Sequence, residues 1–191
     1  MLAGLESMSF TENIAVMESN EKHWFVMRDL TRCNAKMPAY QMLDDMGIEN
    51  FTPKVMKVIT HNGKRECKEV PFIHDLVFVH NTRVVIDPVV EKVRTFQYRF
   101  LKGREPMTVR DKDMEDFKKA VESSSKPQYY RPQDVTPDMR NRKIRIIGSR
   151  LDGCEGYLLT VRGSKQKRLL IELPSLLAAA VEVEPEYIQL L

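Results

Sequence analysis

The chain has 191 residues, a mass of 22.2 kDa and a formal net charge of +3, from 30 Lys and Arg against 27 Asp and Glu. Its 42% of apolar and 30% of charged residues are typical of globular domains and exclude a chain that is disordered throughout. No apolar run approaches the ~20 residues that span a bilayer, so no membrane partner is expected. Three scattered cysteines exclude a disulfide framework, and the first 21 residues lack the basic start of a secretory signal, so a cytoplasmic protein is predicted.

The first part of the chain alternates strand and helix signals. Trp24 to Met27 is a short apolar run that predicts a buried strand, and residues 34–46 carry apolar side chains at helical spacing. Leu76 to Val79 predicts another strand, and a last helix begins near Asp111 or Asp113. Strands interleaved with helices predict an α+β sandwich, in which helices pack on a sheet.

A stretch rich in Ser and Pro follows, and the pattern then changes. Its prolines exclude a helix or a central strand running through it, which predicts a linker. Beyond it, short strands between glycines are typical of a small closed β-barrel. The predicted organisation is an N-terminal extension over residues 1–21, a first domain over 22–122, a linker over 123–138 and a second domain over 139–191.

One segment of the second domain carries conflicting signals. Residues 174–180 contain strong helix formers, whereas barrel closure needs a strand there. Helix propensity is worth only tenths of a kcal/mol per residue, and a helical fold would also have to absorb the cost of Gly153, Gly156 and Gly163. A strand is therefore predicted.

Charge is distributed unevenly along the chain. Residues 140–168 hold nine basic and two acidic side chains, a net of 9 − 2 = +7, and residues 169–191 hold four glutamates and no basic residue. The basic block is either a set of solvated strand faces and loops or a surface that meets phosphate or an acidic protein. The four histidines lack metal-ligand spacing and no nucleotide or nucleophile motif occurs, so no enzyme, metal or cofactor is predicted.

Three segments carry a resemblance to known proteins. Residues 147–156 resemble the KOW motif, usually written Gly-Pro-Phe-x-Gly-x-x-Gly, and match it at Gly153, Glu155 and Gly156. Trp24-Phe25-Val26 resembles the start of the NusG amino-terminal (NGN) domain, and residues 71–79 resemble its Pro-Leu-Phe-Pro-Gly-Tyr-Val-Phe-Val strand. The stretch Ile171-Glu172-Leu173-Pro174-Ser175-Leu176-Leu177-Ala178-Ala179-Ala180 is similar to the ending of specialised NusG paralogs of the UpxY type.

This resemblance implies both a fold and a function. The fold is an NGN sandwich with an antiparallel sheet, followed by a KOW β-barrel. The implied protein is a monomeric transcription elongation regulator that binds the clamp helices of bacterial RNA polymerase and modulates pausing, termination or antitermination. Its targets would be specific long operons such as capsular polysaccharide loci. The KOW domain would recruit either Rho or a small-subunit ribosomal protein, and a nucleic-acid contact stays open. The alternative is a KOW-type RNA-binding or ribosome-associated protein, in which the basic block holds phosphate.

Two sets of partner-binding residues follow from the resemblance, position by position. The polymerase-facing groove is assigned to Phe72, Ile73, Leu76 and Phe78. The loop that meets a partner of the KOW domain is assigned to Arg150, Leu151, Cys154 and Glu155. The family's Phe-Pro-Gly-Tyr is Ile73-His74-Asp75-Leu76 here, so the groove can stay apolar while losing its Pro-Gly turn. Ordinary core or edge packing would account equally well for Phe72, Ile73 and Leu76.

Overall fold

The computed structural model describes residues 20–33, 35–61, 63–160 and 166–191. The N-terminal extension expected over residues 1–21 lies outside the described residues except for its last two. Contacts divide the chain into a first unit that ends at Val109 and a second unit, Arg110–Leu191. Among the described residues, no helix combines the length and the apolar character that a membrane span requires.

The first unit is built on an antiparallel sheet whose central strands are β1 and β5. Its described strands run in the order β2-β5-β1-β6, and β7 also pairs with β1, at Trp24 and Phe25. These strands are β1 (His23–Asp29), β2 (Asn50–Phe51), β5 (Val77–Asn81), β6 (Phe96–Tyr98) and β7 (Thr108–Val109). A separate two-stranded hairpin is formed by β3 (Lys54–His61) and β4 (Lys64–Pro71). The predicted strands at 24–27 and 76–79 are therefore confirmed by β1 and β5, except that β5 begins one residue later than predicted, at Val77.

Two helices of the first unit pack on one face of this sheet. They are α1 (Ala39–Asp45) and α2 (Arg83–Lys92). Their buried residues Leu43 and Ile86 lie in one apolar cluster with Phe25, Met27 and Val79. Alternate residues of a strand face opposite sides, so Trp24, Val26 and Phe78 lie on the face of the sheet away from the helices. These three side chains are also buried.

The second unit begins with a helix and continues as an antiparallel sheet. Helix α3 (Asp111–Ser123) buries Met114, Phe117 and Ala120 and packs on two strands of that sheet. The described strands run in the order β13-β9-β10-β11-β12-β8. They are β8 (Gln128–Tyr130), β9 (Lys143–Ile146), β10 (Glu155–Thr160), β11 (Lys167–Leu173), β12 (Leu177–Val183) and β13 (Ile188–Leu190). Both units thus give the predicted α+β class, and closure of the second sheet into a barrel stays a prediction.

The structure differs from the predicted organisation on both sides of residue 123. Helix α3, which the sequence assigned to the first domain, groups with the second unit because its apolar side chains pack there. Residues 123–138 do not form a plain tether, since β8 pairs with β12 and Val135 is buried beside Leu170. The prolines fit into this folded segment, because Pro132 and Pro137 each start a short 3-10 helix, where no backbone donor is needed.

The segment with conflicting signals is extended, as predicted. Pro174 and Ser175 form a tight turn in which the Leu176 amide donates to the Leu173 carbonyl oxygen at 3.0 Å. Strand β12 follows and pairs with β11 over its whole length, with Leu170 opposite Ala180. Packing of its alanines against neighbouring strands outweighs their helix propensity.

Candidate functional site

The structure separates the four groove residues into two pairs. Phe72 and Ile73 are half-buried in the turn that joins β4 to β5. Leu76, 1% exposed, and Phe78, fully buried, belong to the interior instead. Phe72 and Ile73 can therefore touch a partner directly, whereas Leu76 and Phe78 can only support such a surface from beneath.

A buried apolar layer lies on the sheet face away from the helices. Val26 of β1 is paired with Phe78 of β5, and Trp24 is paired with His80. The Trp24 and His80 rings stack, with centroids 4.9 Å apart, and His80 Nδ1 donates to Glu49 Oε2 at 2.8 Å. We call Trp24, Val26 and Phe78 the apolar sheet face. Trp24 and Val26 could not be assigned to this face from the sequence, because a strand that is buried on both faces carries the same apolar run whichever face is functional.

Backbone and side-chain hydrogen bonds hold the turn before β5. The Phe72 amide donates to the Pro53 carbonyl oxygen at 2.8 Å, and the Leu76 amide donates to the Ile73 carbonyl oxygen at 3.3 Å. His74 Nε2 lies 2.7 Å from the Thr31 carbonyl oxygen, to which it donates. His74 thus ties the turn to a neighbouring loop at the place where the family motif has Pro-Gly.

That neighbouring loop is anchored by a buried carboxylate. Asp29, at the end of β1, is 2% exposed. Its Oδ1 accepts the Thr31 amide at 2.9 Å and its Oδ2 accepts the Ala39 amide at 2.8 Å. Because Pro38 offers no capping side chain, Asp29 supplies the acceptor for the first turn of α1 from ten residues away. The path of the chain between β1 and α1 is therefore fixed at both ends.

A groove lined by basic residues opens between this loop and the β3–β4 hairpin. Its volume is about 560 Å³, and exposed cations reach it from both sides. They are Arg32, Lys36, Lys57 and Lys68, and we call this surface the basic groove. Lys57 and Lys68 stand directly opposite each other in the hairpin, where like charges destabilise a strand pair, and Glu69 lines the same groove. The basic groove could not be predicted from the sequence, because its cations come from separate segments.

Of the four residues assigned to the KOW loop, the structure exposes mainly Arg150. Leu151 and Cys154 are buried, and Glu155 is half-buried at the start of β10. The Gly148 amide donates to Asp152 Oδ1 at 2.6 Å, and the Gly153 amide donates to the Ile146 carbonyl oxygen at 2.9 Å. These bonds fold the loop back on β9. Direct contact of Leu151 or Cys154 with a partner would require the loop to open.

Acidic side chains neutralise much of the basic block in the second unit. Glu155 pairs with Lys143 at 3.0 Å and with Arg145, and these cations lower the pKa of its carboxyl to about 2. Arg140 Nε donates to Glu172 Oε1 at 2.9 Å, and Arg168 Nη2 lies 3.6 Å from Glu182 Oε1. Glu172 and Glu182 come from the acidic end of the chain. Ion pairs between the basic block and the acidic end of the chain therefore leave fewer unpaired cations that could bind phosphate.

The three thiols differ sharply in environment, which predicts a labelling pattern. Burial, and secondarily the Asp116 carboxylate 3.7 Å from Sγ, raises the pKa of Cys154 to about 11, whereas Cys33 and Cys67 are exposed. Since the thiolate is the reactive form, native protein treated with a maleimide near neutral pH should be modified at Cys33 and Cys67. Peptide mass spectrometry should find Cys154 modified only after denaturation. Modification of Cys154 at a similar rate in the native state would show that the KOW loop opens.

The architecture and the comparisons together identify the class and then the family. A sheet with two helices on one face, followed by a small antiparallel β unit, is the arrangement expected of a NusG-type transcription factor. The family model described as "Transcription termination factor nusG" matches residues 22–118, just over half of the chain. The chain belongs to the NusG family.

One solved structure is similar to most of the chain. It comes from work on domain interaction in Thermotoga maritima NusG and has a TM-score of 0.46 and 12% identity. The similarity covers 88% of this chain and 97% of that one. No curated protein matches the chain.

Proposed function

We propose that this chain is a transcription elongation regulator that docks on bacterial RNA polymerase and modulates pausing or termination. The family match over residues 22–118 carries the proposal. The clamp helices of the polymerase are the proposed partner, and an amphipathic helix binds where apolar side chains line a receptive surface. Here Phe72 and Ile73, which are half-buried in the turn before β5, would make the contact.

The target genes are a finer part of the proposal. The resemblance of residues 171–180 to specialised paralogs of the UpxY type supports antitermination at a few long operons, such as capsular polysaccharide loci. For the KOW domain, Rho or a small-subunit ribosomal protein is the proposed partner, and Arg150 is the residue of the predicted set best exposed to meet it. The basic groove is the proposed place for a contact with nucleic-acid phosphates, since four exposed cations line it.

A binding experiment with two matched variants tests the docking site. In Ile73→Asp, a carboxylate would be desolvated against an apolar helix without a partner, so affinity for purified polymerase core enzyme should fall about tenfold or more. Val84→Asp is the control, since Val84 is an exposed apolar residue on α2, which packs on the other face of the sheet. Its affinity should match that of the wild type.

Two outcomes would contradict the proposal. If folded Ile73→Asp binds polymerase as well as wild type does, the docking surface lies elsewhere. If wild-type protein recovered from native lysate brings ribosomes and no polymerase, the alternative of a ribosome-associated protein is correct.

A further inference from the structure

The basic groove has the dimensions and the mixed lining of a small-molecule site. Its volume, about 560 Å³, lies within the range of roughly 300–1,000 Å³ that is typical of ligand pockets. Beside the four cations, apolar side chains form part of its wall, and they are those of Pro38, Ile59, Val70 and Pro71. A site for a bare inorganic ion would need no such wall, so the lining favours a ligand with both a charged and an apolar part.

Both walls of the basic groove are held in place by the protein itself. On the loop side, Asp29 accepts the Thr31 and Ala39 amides, and His74 Nε2 donates to the Thr31 carbonyl oxygen at 2.7 Å. On the hairpin side, β3 and β4 are paired at eight consecutive positions. Because little new order has to be created on binding, a small ligand can be held by few contacts.

The four cations of the groove have no compensating charge beside them. In the described part of the lining Glu69 is the acidic side chain, but Lys54 Nζ lies 3.9 Å from its Oε2. The same ammonium group lies over the ring of Tyr40, 4.5 Å from the centroid. Among the described residues no ion pair involves Arg32, Lys36, Lys57 or Lys68. Their positive charges are therefore available to an anionic ligand.

The placement of these cations favours a ligand with several negative charges close together. Lys57 and Lys68 lie directly opposite each other, and like charges in this position repel. A chain of linked phosphates carries its charges on neighbouring groups, so one ligand can compensate several of the cations at once. A nucleic-acid strand instead carries one charge per nucleotide, and an acidic peptide spreads its carboxylates along the chain. The cluster of cations therefore matches a polyphosphate better than either polymer.

We propose that the basic groove binds a nucleoside polyphosphate, with the phosphate chain between Arg32, Lys57 and Lys68 and the nucleoside against the apolar wall. Lysine and arginine bind phosphate oxygens through charge-assisted hydrogen bonds, and burial of the nucleoside on the wall adds the affinity that inorganic phosphate lacks. A bound nucleotide occupies the cations assigned above to nucleic-acid phosphates, so the two ligands exclude each other. The inference stands apart from polymerase docking, which uses Phe72 and Ile73.

Isothermal titration calorimetry on the intact protein tests the proposal. The probes are ATP, GTP, AMP and inorganic tripolyphosphate, without divalent cations and at one fixed salt concentration, since phosphate contacts depend on salt. ATP or GTP should bind about tenfold or more tightly than AMP, because AMP lacks the phosphate chain, and the tighter of the two identifies the preferred base. The same nucleotide should also bind more tightly than tripolyphosphate, because tripolyphosphate cannot use the apolar wall.

Three variants connect the affinity to the groove. Lys57→Ala and Lys68→Ala should each weaken nucleotide binding about tenfold, because each removes a charge-assisted hydrogen bond. Thermal melts of the free variants should show no loss of stability, since either substitution also removes the repulsion between the two lysines. Arg65→Ala is the matched control and should bind like the wild type. Arg65 is an exposed cation of β4 whose side chain points to the opposite side of the hairpin from Lys68.

Two exposed thiols give an independent measure of where the nucleotide lies. Cys33 lines the groove, whereas Cys67 precedes Lys68 on β4 and points to the other side of the hairpin. A saturating concentration of nucleotide should slow maleimide labelling of Cys33 several-fold and leave the labelling rate of Cys67 unchanged.

Four results would overturn the proposal. The first is that AMP or tripolyphosphate binds as tightly as ATP and GTP, or that no nucleotide binds. The second is that Arg65→Ala weakens binding as much as Lys68→Ala, because the attraction would then be diffuse. The third is that saturating nucleotide leaves Cys33 equally reactive. The fourth is that oligo-dT without a terminal polyphosphate binds more tightly than ATP and loses this affinity in Lys57→Ala, because a strand would then be the ligand. Polymerase binding is tested separately by Ile73→Asp.

Discussion

Replacing Gly156 by alanine is expected to destabilise the second unit by about 3 kcal/mol or more, because the added methyl group has no room. Gly156 lies in β10, and a Cβ atom there would stand 2.2 Å from the backbone carbonyl oxygen of Leu170 and 2.9 Å from Leu169 Cδ1. A backbone oxygen cannot move aside as a flexible side chain can, so β10 and β11 would have to separate. Denaturant unfolding of the full chain, followed by circular dichroism, should show the loss as a lower midpoint for the second unit.

Gly153→Ala provides the matched control in the same KOW-like segment. Gly153 has φ 80°, but a Cβ atom there would meet nothing within 4 Å. Its substitution should cost only the strain of a left-handed backbone, about 1 kcal/mol. Equal effects of the two substitutions would mean that the close approach of β10 and β11 is not what requires glycine at position 156.

Leu76→Asp is expected to unfold the first unit rather than merely to weaken a contact. Leu76 is 1% exposed, so the carboxylate would enter the interior without a partner, at a cost of several kcal/mol. Ile73→Asp, three residues earlier on the half-buried turn, should leave the fold intact. Thermal melts of the two variants should therefore differ widely, even though both would lose affinity for polymerase.

A volume-conserving variant shows whether the loss of stability at position 76 comes from the charge or from the shape of the new side chain. Leu76→Met should cost less than about 1.5 kcal/mol, since the flexible thioether side chain can fill nearly the same space. If Leu76→Asp melts close to the wild-type temperature, Leu76 is accessible in solution, and the assignment of this residue to the polymerase contact then regains support.

Much of the first unit could be predicted from its apolar runs. Trp24 to Met27 and Leu76 to Val79 are short, continuous and apolar, and they lie in or directly before β1 and β5, where both faces are buried at these residues. Strand β12 could be predicted by weighing helix propensity against sheet packing. Its small alanines fit between paired strands, and the glycines of the second unit disfavour a helical hairpin. In β1 and β5 local signals were sufficient, because the apolar run and the burial favour the same structure.

The boundary between the two units and the details of the site could not be predicted without the tertiary structure. Helix α3 has a clear amphipathic pattern, but the pattern does not say which sheet it covers. Ser and Pro around Tyr129 suggested a tether, although three residues there pair with β12. At the site, Phe72 and Leu76 are equally apolar in sequence, and only the fold shows that one is half-exposed and the other enclosed. The basic groove likewise depends on the juxtaposition of distant segments.

The buried carboxylate of Asp29 holds the backbone of a surface segment without using the side chains of that segment. It accepts the backbone amides of Thr31 and Ala39, so these two attachment points use no side chain of the segment between β1 and α1. Arg32, Cys33 and Lys36 are exposed on it and can be exchanged without disturbing the core. Paralogs of one family could diverge here residue by residue, acquiring new charge patterns for new targets while keeping the same scaffold and its stability.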